Sequence, residues 1–208
     1  MASTARALIE VTLSWLFANA KGRDAKSFYT RPALASFTNQ SITVTSPDCG
    51  ASGSKLPIEY THDGGGKFPA LQWSAPPSIA DQVKEWLLVS EDPDAPLSTP
   101  IIHGIYTGIP ASKTSVEPDD FTVVDPEKAL MKGGFHYGMS RNGMPYIPPR
   151  PLMNHGPHRY FFIVVALKDK LDSGLLSAKT TREQIADAIE GNVLGWGMWV
   201  GTAERRWE

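Results

Sequence analysis

Two aspartates and a histidine lie close together in the stretch "SEDPDAPLSTPIIHG", residues 90–104. Asp92 and Asp94 are each followed within two positions by a proline, which restricts the preceding residue to extended backbone and stiffens the turn. Two carboxylates at this spacing can point to one side, or one can cap the turn while the other faces a cavity. Taken alone, the acids are more typical of a solvated Asp-Pro turn than of a site.

Two histidines are candidates for acid–base chemistry. The alternating pattern predicts that His103 lies on one side of a strand together with Ile101, Ile105 and Ile109. A histidine on an apolar face is usually a hydrogen-bonded core group, and a neighbouring aspartate favours its protonated form. His158 begins another strand, in "GPHRY", and sequence spacing leaves its position relative to His103 open. Two Asp and two His would also suit a transition metal, but no CxxC and no His pair four residues apart supports one.

The elements that must position these residues are mostly strands. The segments "ITVTS", "IEYTH", "VKEWLLVS", "IIHGIYTGIP", "HRYFFIVVALK" and "GWGMWVGTA" all read as strands. The fifth is apolar on both alternating faces, which predicts a strand covered on both sides at the centre of the fold. Residues 111–157 are irregular and rich in proline and glycine, and such long loops are more often functional or disordered than idle. A helix near the C-terminus is predicted with a capping box at Thr180 and Glu183, and with Ile185, Ala188 and Ile189 on one face.

The N-terminal segment "ALIEVTLSWLF" superficially resembles a secretory signal. Glu10 interrupts its apolar part, and Leu8, Val11 and Trp15 recur at helical spacing. Arg6 and Glu10 also form an i,i+4 pair, and Gly22 supplies a stop. These features favour an amphipathic helix over a signal.

Composition limits the classes of function. The net charge is −2 with acids and bases mixed along the chain, so no basic stripe favours a nucleic-acid partner. A single cysteine, Cys49, cannot form an intramolecular disulfide and favours a reducing compartment, so we expect a cytoplasmic protein. No apolar run reaches the roughly 20 residues of a transmembrane helix.

Several motifs occur together in a recognisable order. "DPDAP" at residues 92–96 is followed by the strand histidine His103, by "IP" at 109–110, by "YIPPRP", and by "GPHRYFF". In this combination the chain resembles the phosphatidylethanolamine-binding protein family, which includes Raf kinase inhibitor proteins and plant flowering regulators, and is most similar to its fungal members. The resemblance spans roughly residues 41–203. It implies a mainly β fold of two packed, mostly antiparallel sheets with short peripheral helices, residues 41–208, after an N-terminal helical extension, residues 1–40.

The resemblance also implies one small pocket for anions such as phosphate, phosphoryl head groups or carboxylates, with no cofactor and no metal. The aspartates would support the histidines, His155 and Arg150 would extend the rim, and Gly104 would leave room where the family often has an aromatic residue. The residues carried over by position as ligand contacts are Asp92, Asp94, Pro96, His103, Tyr146, Gly156, His158 and Tyr160.

Three functions follow from the resemblance. The first, which the resemblance favours, is a binding protein for a small anion or phospholipid head group that modulates signalling or inhibits a protease or kinase. The other two, an enzyme and a hydrolase, are alternatives to it. The second is an enzyme of fungal specialised metabolism, since some fungal members are associated with anhydride-type natural products. In that case His158 or His103 would act as general acid or base on a carboxylate or anhydride, oriented by an aspartate such as Asp94. The third and weakest is a metal-dependent hydrolase using the same residues.

Overall fold

The computed structural model describes residues 4–177 and 179–207. The strands in these ranges are β1 (Thr43–Thr45), β2 (Leu71–Ser74), β3 (Glu85–Asp92), β4 (Ile101–Pro110), β5 (Ser115–Val116), β6 (Val123–Asp125), β7 (Leu130–Met131), β8 (His136–Tyr137), β9 (His158–Leu167) and β10 (Val193–Ala203). The α-helices are α1 (Thr4–Leu16), α2 (Pro77–Ala80), α3 (Ser173–Ser177) and α4 (Arg182–Ala188). Single turns of 3₁₀-helix lie at Asp24–Lys26, Phe28–Thr30, Pro32–Leu34, Ile58–Tyr60, His62–Gly64 and Pro118–Phe121.

The strands form two antiparallel sheets. The larger has the order β10-β9-β3-β4-β8-β7-β6, and the smaller has the order β1-β2-β5. The predicted fold class, mainly β with two packed sheets and short helices, is confirmed. The strand that carries His103 and the strand that begins at His158 are separated in the larger sheet only by β3, which ends at Asp92. The sheet order therefore brings together three residues that are far apart in sequence.

Two apolar layers cover the larger sheet. The first lies between the sheets and includes Tyr160, Phe162 and Val164 of β9. The second includes Phe161, Ile163 and Val165, and is covered by α4 and by the 3₁₀ turns of residues 28–34. The alternation predicted for β9, with both faces apolar, is confirmed because each face packs on its own layer.

The N-terminal helix is present, but it buries a different face from the one its apolar spacing indicates. Ala7, Glu10 and Ser14 are buried, while Leu8 and Trp15 are exposed. Glu10 does not pair with Arg6. Its carboxylate instead accepts hydrogen bonds from two distant arginines, Arg150 and Arg205. This long-range ion pair overrides the helix's own apolar pattern, since a buried carboxylate requires its partners.

Two other local predictions are wrong in detail. The segment "IEYTH" forms 3₁₀ turns instead of a strand, because amides of residues 60, 61 and 64 each bond a carbonyl three positions back. The capping box of α4 lies one residue later than predicted, at Thr181 and Gln184. Ala188 is exposed, and Ala186 is buried beside Ile185. Among the described helices, none combines the length and apolar character needed to span a membrane.

Candidate functional site

Asp92 ends β3 and caps the turn that follows. One oxygen, Oδ1, accepts hydrogen bonds from the backbone amides of Asp94 (2.7 Å) and Ala95 (3.0 Å). The other, Oδ2, lies 2.8 Å from Nδ1 of His158. The Asx turn predicted for the Asp-Pro stretch is therefore present, but the carboxylate is buried and also holds a histidine. Asp92 both shapes the turn and orients a side chain of the site.

Asp94 points the other way and contacts no histidine. Its two oxygens accept hydrogen bonds from Nε, Nη2 and the backbone amide of Arg159, at 2.8–2.9 Å, and from the amide of Gly22. Burial by itself raises the pKa of Asp94, but the Arg159 hydrogen bonds outweigh it and hold that pKa below its ordinary value. Arg159 also binds both oxygens of Asp24. Asp94 therefore fastens the N-terminal segment to the sheet, and the expectation that both aspartates support histidines holds only for Asp92.

The two histidines of "HGPH" form a relay that begins at Asp92. Nε2 of His158 lies 2.7 Å from Nδ1 of His155, and Nε2 of His155 lies 2.9 Å from the carbonyl oxygen of Phe17. Gly156, at φ +81°, lets the chain turn between the two rings. The relay therefore links Asp92 to the end of the N-terminal helix.

A fully hydrogen-bonded relay needs one proton more than its ionised carboxylate and two neutral imidazoles supply. Its three links, from Asp92 to His158 to His155 to Phe17, each need one proton. An ionised carboxylate and two neutral imidazoles bring only two. Burial lowers the pKa of His155, and nearby Lys21 and His158 act in the same direction, while the Phe17 carbonyl and Asp92 oppose them. All three links are therefore complete only when the extra proton is bound.

His103 is not part of this relay, and its position is set by a bulge in the pairing of β3 with β4. Register shifts interrupt the pairing of β3 with β4 at Ser90 and Glu91, opposite residues 102–104. The extra residue turns His103 to the face of Tyr160, whose ring it meets edge-on at 5.2 Å, while Ile105 packs in the layer on the other face. The prediction that His103 shares a side with Ile105 is thus wrong, because a bulge reverses the alternation.

The ring of His103 keeps one free nitrogen. Nδ1 lies 2.5 Å from the carbonyl oxygen of Ile147, so Nδ1 carries the proton, because a carbonyl can only accept. Nε2 is buried and has no hydrogen-bond partner within the described residues. Burial lowers the pKa of His103, which the nearby Asp92 carboxylate only partly offsets. The side chain is therefore a neutral imidazole with a bare lone pair.

His103 lines a cavity of about 340 Å³ together with Asp92 and Tyr160. Arg141, Asn142 and Arg150 from the long loop form its other polar lining. A second cavity, of about 390 Å³, adjoins it and is lined by His158 and Pro96 among others. Asp92, Ile101, Arg141 and Arg150 line both. The long loop of residues 111–157 thus supplies cationic groups at the junction of the two cavities.

Not every residue carried over from the family lies on these cavities. The Tyr146 ring packs on Phe68 in the core between the sheets and lines neither cavity. Gly156 shapes the backbone only. The space expected beside Gly104 is filled, since a Cβ there would lie 2.3 Å from the hydroxyl of Tyr106. His103, Tyr160, Asp92, Pro96 and His158 do line one cavity or the other.

Some site residues could not be assigned by carrying over family positions. His155 belongs to the relay and, contrary to expectation, does not lie on the rim of the pocket. Its spacing of three residues from His158, with a glycine between them, was the one sequence feature that could have indicated the contact of the two rings. Arg141 and Asn142 belong to none of the recognised motifs, so nothing in the sequence indicated that they line the cavity. Glu10 was unpredictable because its partners, Arg150 at 2.6 Å and Arg205 at 2.7 Å, lie far away in sequence. Burial raises the pKa of Glu10, but these two arginines outweigh it and lower that pKa overall.

The same residues offer little to a metal ion. Across residues 4–177 and 179–207, no three His, Cys, Asp or Glu side chains are arranged to hold one. Nδ1 of His158 and Nδ1 of His103 are already engaged in hydrogen bonds. The arrangement is instead a buried neutral histidine that lines a cavity, with a hydrogen-bonded relay beside it.

Comparison with known proteins agrees with this fold. Over 96% of its length the chain is 44% identical to a phomoidride biosynthesis cluster protein B of Talaromyces stipitatus, of which it covers 82%. It is likewise 44% identical, over 97% of its length, to a protein of the same name from another fungus, of which it covers 96%. A crystal structure of a phosphatidylethanolamine-binding protein homologue from Chlamydia trachomatis superposes with a TM-score of 0.64 at 26% identity, covering 80% of this chain and 99% of that one.

Residues 46–204 match the family model described as phosphatidylethanolamine-binding protein. This range contains both strands that carry the histidines, the aspartate turn and the long loop. The motifs, the two-sheet fold and these matches agree, and the chain belongs to the phosphatidylethanolamine-binding protein family.

Proposed function

We propose that this protein is an enzyme of fungal specialised metabolism that binds a carboxylate- or anhydride-bearing small molecule and uses His103 as a general base. The observation that carries the proposal is the bare Nε2 of a neutral, buried histidine lining a cavity that two arginines also line. The two fungal relatives named as phomoidride biosynthesis cluster proteins support a biosynthetic role.

The chemistry suited to this arrangement is removal of a proton from carbon next to a carbonyl. Nε2 of His103 would accept the proton, and the electron pair of the C–H bond would pass into an enolate whose oxygen carries negative charge. Arg141, with no ion pair in the described part of the chain, is available to stabilise that oxygen. The Ile147 carbonyl, bonded to Nδ1, fixes the tautomer that leaves Nε2 free.

The same geometry disfavours a fully ionised phosphate beside His103. Two groups of the cavity lining, the Nε2 lone pair of His103 and the Asp92 carboxylate, are acceptors, and a phosphate dianion offers no proton to either. An anhydride is neutral, and a carbon acid donates the proton that Nε2 lacks. The cavity therefore complements a carbonyl compound better than a phosphoryl group.

A second candidate is capture of a small anion without turnover, as the family name implies. The arginines at the cavity junction favour it, because Arg141 is exposed there and its guanidinium is not engaged by any described carboxylate. Inhibition of a protease or kinase and a cytoplasmic location stay predictions drawn from the resemblance and the composition.

Solvent-deuterium exchange separates the two candidates. The protein is incubated with 2,3-dimethylmaleic anhydride in D₂O, and loss of the methyl proton signal is followed by NMR. Each methyl carbon is conjugated through the ring C=C bond to the far carbonyl, so a general base should catalyse exchange of its protons through a dienolate, the vinylogous form of the enolate. Replacing His103 by Gln should slow the exchange by roughly 10²–10⁴-fold, the usual contribution of such a group.

The control is His62→Gln, which changes a surface histidine away from the cavities and should leave exchange at the wild-type rate. Exchange no faster than in buffer, combined with saturable binding of the anhydride or its diacid, would favour capture without turnover. Equal exchange by wild type and His103→Gln would show that the base is another group.

A further inference from the structure

The second cavity differs from the first in its walls. Leu13 and Phe17 of the N-terminal segment form one side, Leu97 of the turn after Asp94 forms another, and Pro151 and Leu152 close a third. Its polar residues include Asp92, Arg141 and Arg150, which it shares with the His103 cavity. A chamber with apolar walls thus opens beside the catalytic one and meets it at the arginines.

The apolar walls of this chamber are incompletely covered by the protein itself. Leu13, Phe17 and Leu97 are 37%, 42% and 37% exposed, although they come from two separate segments of the chain. Apolar side chains that converge on a concave space and stay partly exposed are typical of a ligand site. Arg141 and Arg150 at the junction fix the orientation of such a ligand, because they would hold its acidic head and leave its apolar part against the apolar walls.

The N-terminal segment is fixed in place strongly enough to act as a wall. Glu10 is bound by Arg150 and Arg205, and the Phe17 carbonyl is bound by His155. Arg150 belongs to both cavities, so the contact that anchors the helix also forms the junction. A ligand spanning the two cavities would pass between this junction and the side chains of Leu13 and Phe17.

We propose that the apolar chamber holds an aliphatic chain of the substrate, while the carboxylate or anhydride head of the same molecule lies in the His103 cavity. This inference rests on the proposed function and specifies its substrate class, an alkyl-substituted carboxylate or anhydride. It also makes Leu13, Phe17 and Leu97 determinants of chain length.

A series of linear monocarboxylates from acetate to decanoate tests the chamber. Binding is measured by calorimetry on the full-length protein, and the ring ¹⁵N resonances of His103 are recorded with each ligand. Each added methylene should tighten binding roughly fourfold until the chamber is full, the value expected for burying one CH₂ group. His103 should respond similarly throughout the series, because the head stays in place.

Two substitutions each change a different wall of the chamber. Leu13→Asn and Leu97→Asn, which add no charge near the arginines, should each abolish the gain with chain length while leaving acetate binding within about twofold. Leu16→Asn is the matched control, because Leu16 lies on the same helix, is 61% exposed and does not line the chamber. Leu97 lies outside the helix, so its variant reports on the chamber even if Leu13→Asn loosens the helix.

The outcomes are distinguishable. A gain with chain length that both chamber variants abolish and the control keeps would support the inference. Equal affinity for acetate and decanoate, with a normal His103 response to both, would overturn the chamber and leave the proposed function standing. If no carboxylate of any length perturbed His103, the head-group site would be wrong, and the inference would fall with it.

Discussion

Nε2 of His158 and Nδ1 of His155 lie 2.7 Å apart, each ring having its other nitrogen within 2.9 Å of an oxygen, one of Asp92 and one of Phe17. A pair of imidazoles in this arrangement cannot satisfy both oxygens and each other while neutral, unless the carboxyl carries a proton. The relay thus couples protonation beside the cavities to the attachment of the N-terminal helix.

The relay should lose one link as the pH rises. Burial lowers the pKa of His155 from 6.5, so the third proton should bind only on acidification below that value. We expect ring ¹⁵N spectra to show three protonated nitrogens on the Asp92–His158–His155 relay in acid and two at pH 8. Larger protection factors for the amides of residues 13–17 in acid, taken relative to the intrinsic exchange rate at the same pH, should accompany the third proton. Three protons persisting at pH 8 would contradict this account.

Asp92→Asn provides an internal test of the same proton count. The amide oxygen can still cap the turn, and the NH₂ group supplies the missing proton to Nδ1 of His158. All three links would then be complete with both rings neutral. We expect the protection factors of the amides at residues 13–17, which compare each exchange rate with the intrinsic rate at the same pH, to become independent of pH between 5 and 8. A pH dependence of these factors equal to that of the wild type would refute the count.

His103 should make the folded protein sensitive to acid. Because burial lowers its folded pKa below 6.5, the unfolded chain binds more protons than the folded one as the pH falls through 6.5. The free energy of unfolding contributed by this group therefore decreases on acidification, by at most about 1.4 kcal/mol per pH unit. Denaturation at pH 5–8 should show that His103→Gln loses stability less steeply than the wild type. Parallel curves would mean that His103 has the same pKa in the folded and the unfolded chain.

Glu91 should change the free energy of unfolding in the opposite direction from His103, lowering it as the pH rises. It is buried under Phe28, whose amide it binds at 2.8 Å, and Arg182 lies 3.7 Å away. Burial raises its pKa from 4.5 to about 7. As the pH rises from 4.5 to 7 the unfolded chain therefore loses this proton while the folded chain keeps it, and the free energy of unfolding decreases. Relative to wild type, Glu91→Gln should gain stability between pH 4.5 and 7, by up to about 3 kcal/mol. The exposed Glu127→Gln should show no such gain, and a pH-independent difference for Glu91→Gln would disprove the ionisation.

Asp94, unlike Asp92, should contribute to stability and have no part in the exchange reaction. Asp94→Asn weakens the contacts with Arg159 and Gly22 that attach the N-terminal segment. We expect a loss of roughly 1–3 kcal/mol in the free energy of unfolding, as for a buried charged hydrogen bond. Exchange of the anhydride methyl protons should persist in this variant, since Asp94 lines neither cavity. Loss of exchange in a folded Asp94→Asn protein would place this aspartate in the chemistry.

The parts of the fold that follow from local pattern were predictable. The two apolar faces of β9 predicted its central place, and the prolines around Asp92 predicted a stiff capped turn. The side of the sheet on which His103 lies was not predictable. The isoleucines of this strand alternate in sequence as they would in a regular strand, so the bulge opposite Ser90 cannot be recognised from them. The partners of Glu10 and Asp94 are likewise set by tertiary packing, over separations of 140 and 65 residues.

Ring ¹⁵N chemical shifts at pH 7 show whether His103 is a neutral imidazole with a free Nε2. We expect a protonated, pyrrole-like Nδ1, bonded to the carbonyl oxygen of Ile147, and an unprotonated, pyridine-like Nε2. His103→Gln assigns the pair of resonances by their disappearance. A protonated Nε2 at pH 7, in either the other tautomer or the imidazolium ion, would contradict the account, because no lone pair would then be available to remove a proton.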